Sequence, residues 1–203
     1  MRQKQTYHHG DLQQALIEAA IALIAEKDVS SLSLREVARR VGVSHAAPYR
    51  HFADKDALLA AVAREGFQGL SEALKLGLQQ APPDPLKRLE ATGVAYVGYA
   101  IAHPSYYRVM FGAYRGEGYP SLEQASQEAF GVLVGVIVEG QGAGVVRSGE
   151  PRQLAWVAWS LVHGLAMLLI DGQLPVTEGS AIESLASVAA RMLIEGLAGG
   201  SRS

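Results

Sequence analysis

The residues of this chain whose types and spacing could do chemistry fall in three places. In the run His45-Ala-Ala-Pro-Tyr-Arg-His-Phe-Ala-Asp-Lys55, imidazole, phenol, guanidinium and ammonium groups crowd together. Such groups suit phosphate oxygens and base edges, and the short Ala46 and Ala47 would let a helix approach a thymine methyl. Further on, six of the eight tyrosines lie between Tyr96 and Tyr119, bringing hydroxyls that need partners if buried. Finally, Trp156, Trp159 and His163 are spaced by three and four, which puts them on one helix face. Catalysis finds little support. There is no cysteine, the later histidines are only His103 and His163, and no Gly-rich phosphate loop follows a strand. His8 and His9 have no further ligands at useful spacing, so neither a metal site nor a cofactor is expected. The chain does not read as an enzyme.

The first group needs elements to position it. Ser33 and Glu36 make a Ser-x-x-Glu capping box in which each side chain can satisfy the other's orphan amide. Val37, Ala38 and Val41 then repeat at helical spacing until Gly42 stops the helix. Ser44 reads as the cap of a second short helix, on which His45, Ala46, Ala47, Tyr49, Arg50 and His51 face outward while Val43 and Phe52 face in. Pro48 would fall in its first turn, where few donors have helical partners. Two short helices joined by a tight turn, the second polar and cationic, are the form of a helix-turn-helix DNA reader. Arg50 could take a guanine edge or a phosphate, and Ser44 in the turn, with Ser33, Arg35 and Arg39 from the preceding helix, are further candidate DNA contacts. A first helix capped by Asp11 carries Leu12, Ala15, Leu16, Ala19, Leu23 and Ile24 as the stripe that closes this head against Val37, Val41 and Phe52. Met1 to Gly10 reads as a flexible arm, in which His8 and His9 sit beside Arg2 and Lys4.

The run Gly42-Val-Ser44, with Tyr49, Phe52 and Asp54-Lys55-Asp56-Ala-Leu-Leu59, resembles the DNA-binding domain of the TetR family of transcriptional regulators over about Tyr7 to Val62. Trp159-Ser-Leu-Val-His163-Gly164 is similar to the Trp-x-x-x-His-Gly signature of one subfamily of TetR C-terminal domains. The resemblance implies that Tyr49, His51 and Lys55 hold phosphates of a double-stranded operator. It also implies a homodimer on a near-palindromic site and a pocket among the fourth to eighth helices. A small hydrophobic or aromatic effector would tilt the helix that opens at Lys55 and release the DNA, making the protein a repressor. The alternative is an architectural or partner-recruiting DNA-binding protein of the same fold with no small-molecule ligand.

Beyond the head the chain reads as helical throughout, all-α with about nine helices. Expected helices run from Lys55 to Gln80, from Asp84 to Ala102 and, briefly, from His103-Pro104 to near Gly112. Others are expected near Ser121–Glu139, Pro151–Asp171 and Gly179–Leu197, with a loop at Gly112–Pro120 and a frayed tail from Gly199. The expected domains are 1–54 for DNA binding and 55–203 for ligand binding and dimerisation. Phe67, Tyr96, Tyr99, Tyr107, Met110, Phe111, Trp159, His163 and Met167 are the candidate pocket residues, with His163 as polar anchor. Gly164 would permit close approach of another helix. Leu161, Leu165 and Leu168, with Ile182, Leu185, Val188, Ala189, Met192 and Leu193, are the candidate dimer contacts. The apolar run Leu154 to Ile170 is broken by His163 and Gly164 and is shorter than the ~20 residues of a membrane span, so a buried helix is expected. No signal peptide is visible, and the expected location is the cytoplasm. Charge adds modestly: residues 1–60 hold eight Lys/Arg against seven Asp/Glu, the remainder ten against thirteen, and the net charge is −2.

Overall fold

The structure, a computed structural model, describes residues 9–112 and 118–197. Those residues form eight α-helices and no strand. In chain order they are α1 His9–Glu26, α2 Leu34–Val41, α3 Lys55–Gln80, α4 Pro85–Ala102, α5 Pro104–Met110, α6 Pro120–Gly142, α7 Pro151–Ile170 and α8 Gly179–Leu197. Local chemistry sets several of these ends. Asp54 Oδ1 accepts the amide of Ala57 at 2.8 Å to open α3, and Asp84 Oδ1 accepts that of Lys87 at 2.8 Å to open α4. Glu150 does the same for α7 through Gln153. Prolines at the first position of α4 and α7 cost nothing, because the missing donor would be an orphan there. The helix α1 begins at His9, two residues before the expected Asp11 cap. His8, Tyr114 and the tail from Gly199 lie outside the described residues.

Two compact units divide the chain, and the division does not follow chain order. The first comprises Met1–Gly66 with Pro104–Glu123, the second Phe67–His103 with Gln124–Ser203. In the first unit, α1 packs on α2 and also on α5. That second partner widens the buried face of α1 beyond the expected stripe: Ile17 and Ala20 are as fully buried as Leu16, whereas Leu12 and Ala15 are only half-buried. Val37, Phe52, Leu58, Val62, Tyr107 and Val109 complete that core, and Val41 is only half-buried. The second unit is built from α4 against α7 and α8, with small residues where helices meet. A Cβ at Gly93 would lie 3.2 Å from Ala190 Cβ and 3.5 Å from Val162 Cγ1, so a larger residue there would push these helices apart. Leu89, Val136, Ile137, Val146, Ala155 and Ala158 form the buried cluster between α4, α6 and α7.

Candidate nucleic-acid interface and interior polar cluster

The helix α2 starts and stops as its residues dictate. Ser33 Oγ accepts the Glu36 amide at 3.3 Å. Only this half of the box forms, because the Glu36 carboxylate is taken by Lys27 and by Arg39 at 3.4 Å. At the other end Gly42 adopts φ 80°, and Gly42 and Val43 return their amides to Ala38 and Arg39. A left-handed residue is needed for that closing turn, and glycine takes it without steric cost.

The expected helix after Ser44 is not α-helical. Turns cover His45 to Ala47, and a short 3₁₀ helix spans Pro48–Arg50. The reason is Pro48, which has no N–H to offer the Ser44 carbonyl four residues back. The Ala47 amide takes that carbonyl instead at 2.9 Å, and Arg50 and His51 continue with bonds to the third residue back. Ser44 therefore caps nothing with its side chain. Pro48 is buried and Phe52 is 4% exposed, which pins the segment, and Val43 is half-buried. Outward stand His45, Ala46, Tyr49 and Arg50, with Ala47, His51 and Lys55 half-buried beside them.

Electrostatics sort the cations of this face. Arg40 pairs with Glu26 and Lys27 with Glu36, and these contacts hold the Glu26 and Glu36 carboxyls below the usual carboxylate range. Arg35 and Arg50 make no ion pair among the described residues, so their guanidinium groups remain available to an anion. Lys55 Nζ donates to the Ser30 carbonyl at 2.9 Å, which places the ammonium beside the start of α3 with two donors to spare. Ser33 and Arg35 are exposed at the start of α2. The arrangement presents a short row of donors on a rigid turn, the requirement for reading a duplex.

The interior of the second unit holds a different cluster. Trp159 Nε1, which can only donate, lies 2.9 Å from Tyr96 Oη, and Tyr96 Oη lies 3.0 Å from His163 Nδ1. The chain of bonds runs from the indole to the phenol to the imidazole, with Nδ1 of a neutral ring as acceptor. Burial pushes the His163 pKa below its ordinary 6.5, which favours that neutral form. Phe130, which sequence reasoning missed, sits edge-on to Trp159 with centroids 6.2 Å apart and has the Arg152 guanidinium over its ring at 5.6 Å. Periodicity within α6 gives no sign of this, because the contact is with a helix far along the chain. Trp156 does not join the cluster, being 50% exposed. The Tyr99 ring lies 4.6 Å from that of His103, tilted by 41°. Phe67 and Met167 are half-buried in the same unit. Tyr107, Met110 and Phe111 belong to the first unit, where Tyr107 is fully buried with its ring 4.8 Å from that of Phe111.

The dimer candidates lie on α7 and α8. Leu161, Leu168, Val188 and Met192 are exposed, and Leu165, Ile182, Leu185, Ala189 and Leu193 are half-buried. Leu193 also packs on the core cluster. The expectation that α7 is buried holds for one face only: Ala155, Ala158, Val162 and Ala166 are buried, and the helix is long and apolar enough by length and composition to cross a membrane. No neighbour lies within 4 Å of a Cβ built at Gly164, so close helix approach there does not occur within one chain.

Comparison with known proteins brings these observations together. Residues 16–62 match the family described as bacterial regulatory proteins, tetR family, and residues 89–193 match the tetracyclin repressor-like C-terminal domain. A Rhodococcus protein of unknown function has a solved structure that superposes with a TM-score of 0.84 at 34% identity, covering 97% of this chain and all of that one. The TetR family regulator PfmR of Thermus thermophilus superposes at 0.71 with 20% identity over 89% of this chain and 97% of its own, a likeness of fold. Among curated relatives, a helix-turn-helix-type transcriptional regulator of Haemophilus influenzae is 44% identical over 80 residues, 39% of this chain and 35% of its own. The regulator BetI of Serratia proteamaculans is 38% identical over 79 residues, 38% of this chain and 40% of its own. The chain thus spans well under half the length of these curated relatives, 35% and 40%.

Proposed function

This chain belongs to the TetR family of bacterial regulatory proteins, and from that premise we propose that it is a ligand-responsive transcriptional repressor. It acts as a homodimer on a near-palindromic operator in the cytoplasm and is released by a small hydrophobic or aromatic effector. No catalytic step is part of this function. The observation that carries the proposal is the exposed row His45, Ala46, Tyr49 and Arg50 on a turn pinned by Pro48 and Phe52, next to the unpaired Arg35. Ala46 and Arg50 would meet base edges, and Tyr49, His51 and Lys55 would hold phosphates. The polar cluster of Tyr96, Trp159 and His163, with Phe67, Tyr99 and Met167, supports an effector site in the second unit that is mostly apolar with a few fixed polar groups. Release requires that the effector bind the non-DNA-binding state better, by a coupling of about 1–3 kcal/mol.

Selection of operators from genomic DNA with purified protein tests the reading, followed by titration of the best site against salt. A palindromic sequence whose affinity falls steeply with salt is the expected result. Absence of any enriched sequence, even after denaturing and refolding to strip bound effector, would overturn it.

A further inference from the structure

Ser71 on α3 is 4% exposed, and its Oγ has no hydrogen-bond partner among the described residues. A serine or threonine in mid-helix ordinarily gives its hydroxyl to a carbonyl one turn earlier. Ser160 does so to Trp156 at 2.7 Å, and Thr92 to Leu89 at 2.7 Å. Ser71 does not. Its stripe on α3 contains Phe67, Leu74 and Leu78 at helical spacing, and Leu78 packs against the buried cluster of the second unit. The hydroxyl is therefore held in the interior of that unit, at a cost to stability that a partner would remove.

The same interior offers no uncompensated charge. Apart from the Tyr96 hydroxyl, engaged by Trp159 and His163, the buried polar side chains there among the described residues are Ser71 and Thr92, and the Thr92 hydroxyl is spent. The ionic groups of low exposure are paired. Glu90 lies between Lys87 and Arg191, and Arg88 Nε is 3.2 Å from Glu139, close enough to attract although out of line for a hydrogen bond. An ion brought in would lose its hydration, and the His163 imidazole, which burial holds toward its neutral form, offers it no counter-charge.

We propose that Ser71 is a hydrogen-bonding anchor of the effector site within the second unit, and that this site takes an uncharged apolar molecule bearing a hydroxyl, carbonyl or amide. Carboxylates and ammonium ions are excluded from it. The inference rests on the effector-responsive reading above and narrows the class of effector.

Three probes of one skeleton test it: phenylbutanol, phenylbutyrate and phenylbutylamine, titrated into the full chain by calorimetry and thermal unfolding, then added to the operator complex. Phenylbutanol is expected to bind saturably, raise Tm and weaken operator binding, while the two charged probes do neither at equal concentration. Ser71→Ala should lower phenylbutanol affinity by ~3–10-fold, the range one neutral hydrogen bond covers. The same change should leave the ligand-free Tm unchanged or raise it. A lower ligand-free Tm with unchanged phenylbutanol affinity would show that the hydroxyl has a structural partner and would overturn the proposal. If a charged probe binds as well as phenylbutanol and weakens operator binding, the proposal fails while the effector-responsive reading stands. If no probe binds, or none alters operator affinity, that reading falls and the proposal falls with it.

Discussion

Tyr49 is 52% exposed on a turn whose other large ring, Phe52, is buried, so nothing in the packing of the first unit requires an aromatic there. The proposed phosphate contact would account for a phenol in that position. Lys55 is similar: its bond to the Ser30 carbonyl fixes the ammonium but does not neutralise it. The double change Tyr49→Ala with Lys55→Ala should weaken binding to all DNA sequences together by about tenfold or more, since neutral and charged hydrogen bonds are both lost. The slope of log affinity against log salt should shrink by roughly 0.9 for the one cation removed. Unchanged operator affinity in a binding titration would remove both residues from the interface. The second residue with a distinct prediction is His163. Its pKa is lowered in the folded chain, so between that value and the unfolded 6.5 the unfolded state binds more protons. Stability should therefore be full above pH 6.5 and fall as pH drops through the window below it. Half exposure of the ring keeps the effect small. Denaturation midpoints measured from pH 7 to pH 5 should decline less for His163→Gln than for the unchanged chain. An equal decline would mean that other groups set the acid sensitivity.

Elements were legible in the sequence wherever their ends are written in local chemistry. Asp84, Pro85 and Pro151 announce where α4 and α7 begin, and Ser33 with Gly42 bracket α2. The segment after Ser44 was not legible in the same way. His45, Ala46, Tyr49 and Arg50 face outward as the pattern implied while Ala47 and His51 are half-buried, and the segment's form is decided by Pro48 removing one donor, which turns an expected α-helix into a 3₁₀ turn. Less legible still was the grouping of α5 with α1, and the meeting of Tyr96 with Trp159 and His163, because such contacts join positions far apart in the chain. A helical pattern reports which side of an element is apolar and is silent on what covers it. Two glycines show what the element ends require. At Gly42 a Cβ would meet nothing within 4 Å, so Gly42→Ala should cost only the left-handed strain, roughly 1–2 kcal/mol. At Gly140 the conformation is ordinary, but a Cβ would lie 2.5 Å from Val146 Cγ2 in the buried cluster. Gly140→Ala should cost about 1–3 kcal/mol through overpacking. Chemical denaturation of both variants separates the two causes, since Gly42→Asn should recover part of the first loss while Gly140→Ser should recover none of the second.

On the scale of the whole molecule, the outstanding demand is the apolar surface of α7 and α8. Leu161 is 40% exposed, Leu168 46%, Val188 38% and Met192 69%, with Val157 at 59%. Contiguous apolar exposure of this kind marks an interface, because monomeric proteins rarely leave it to water. A membrane is the competing cover, and α7 meets the length and composition for it with a mean hydropathy of 1.6. Two features weigh against that cover. The opposite side of α7 carries the Trp159 and His163 bonds to Tyr96, which tie the helix into the second unit, and the exposed apolar surface continues onto α8. In the homodimer proposed above, a second copy of the same surface would satisfy both helices at once, and the open space at Gly164 is where a partner helix could come close. Met192→Glu with Leu161→Glu would bury four carboxylates across a twofold interface, a cost large enough to dissociate it. Sedimentation should show a dimer for the unchanged chain and a monomer for the double variant, still folded by circular dichroism. Operator affinity should collapse in that variant although Tyr49, Arg50 and Lys55 are untouched, because a lone head binds one half-site and loses the gain from simultaneous engagement of the second. A double variant that stays dimeric would place the interface elsewhere, and one that is monomeric yet binds the operator as before would remove the dimer from the mechanism.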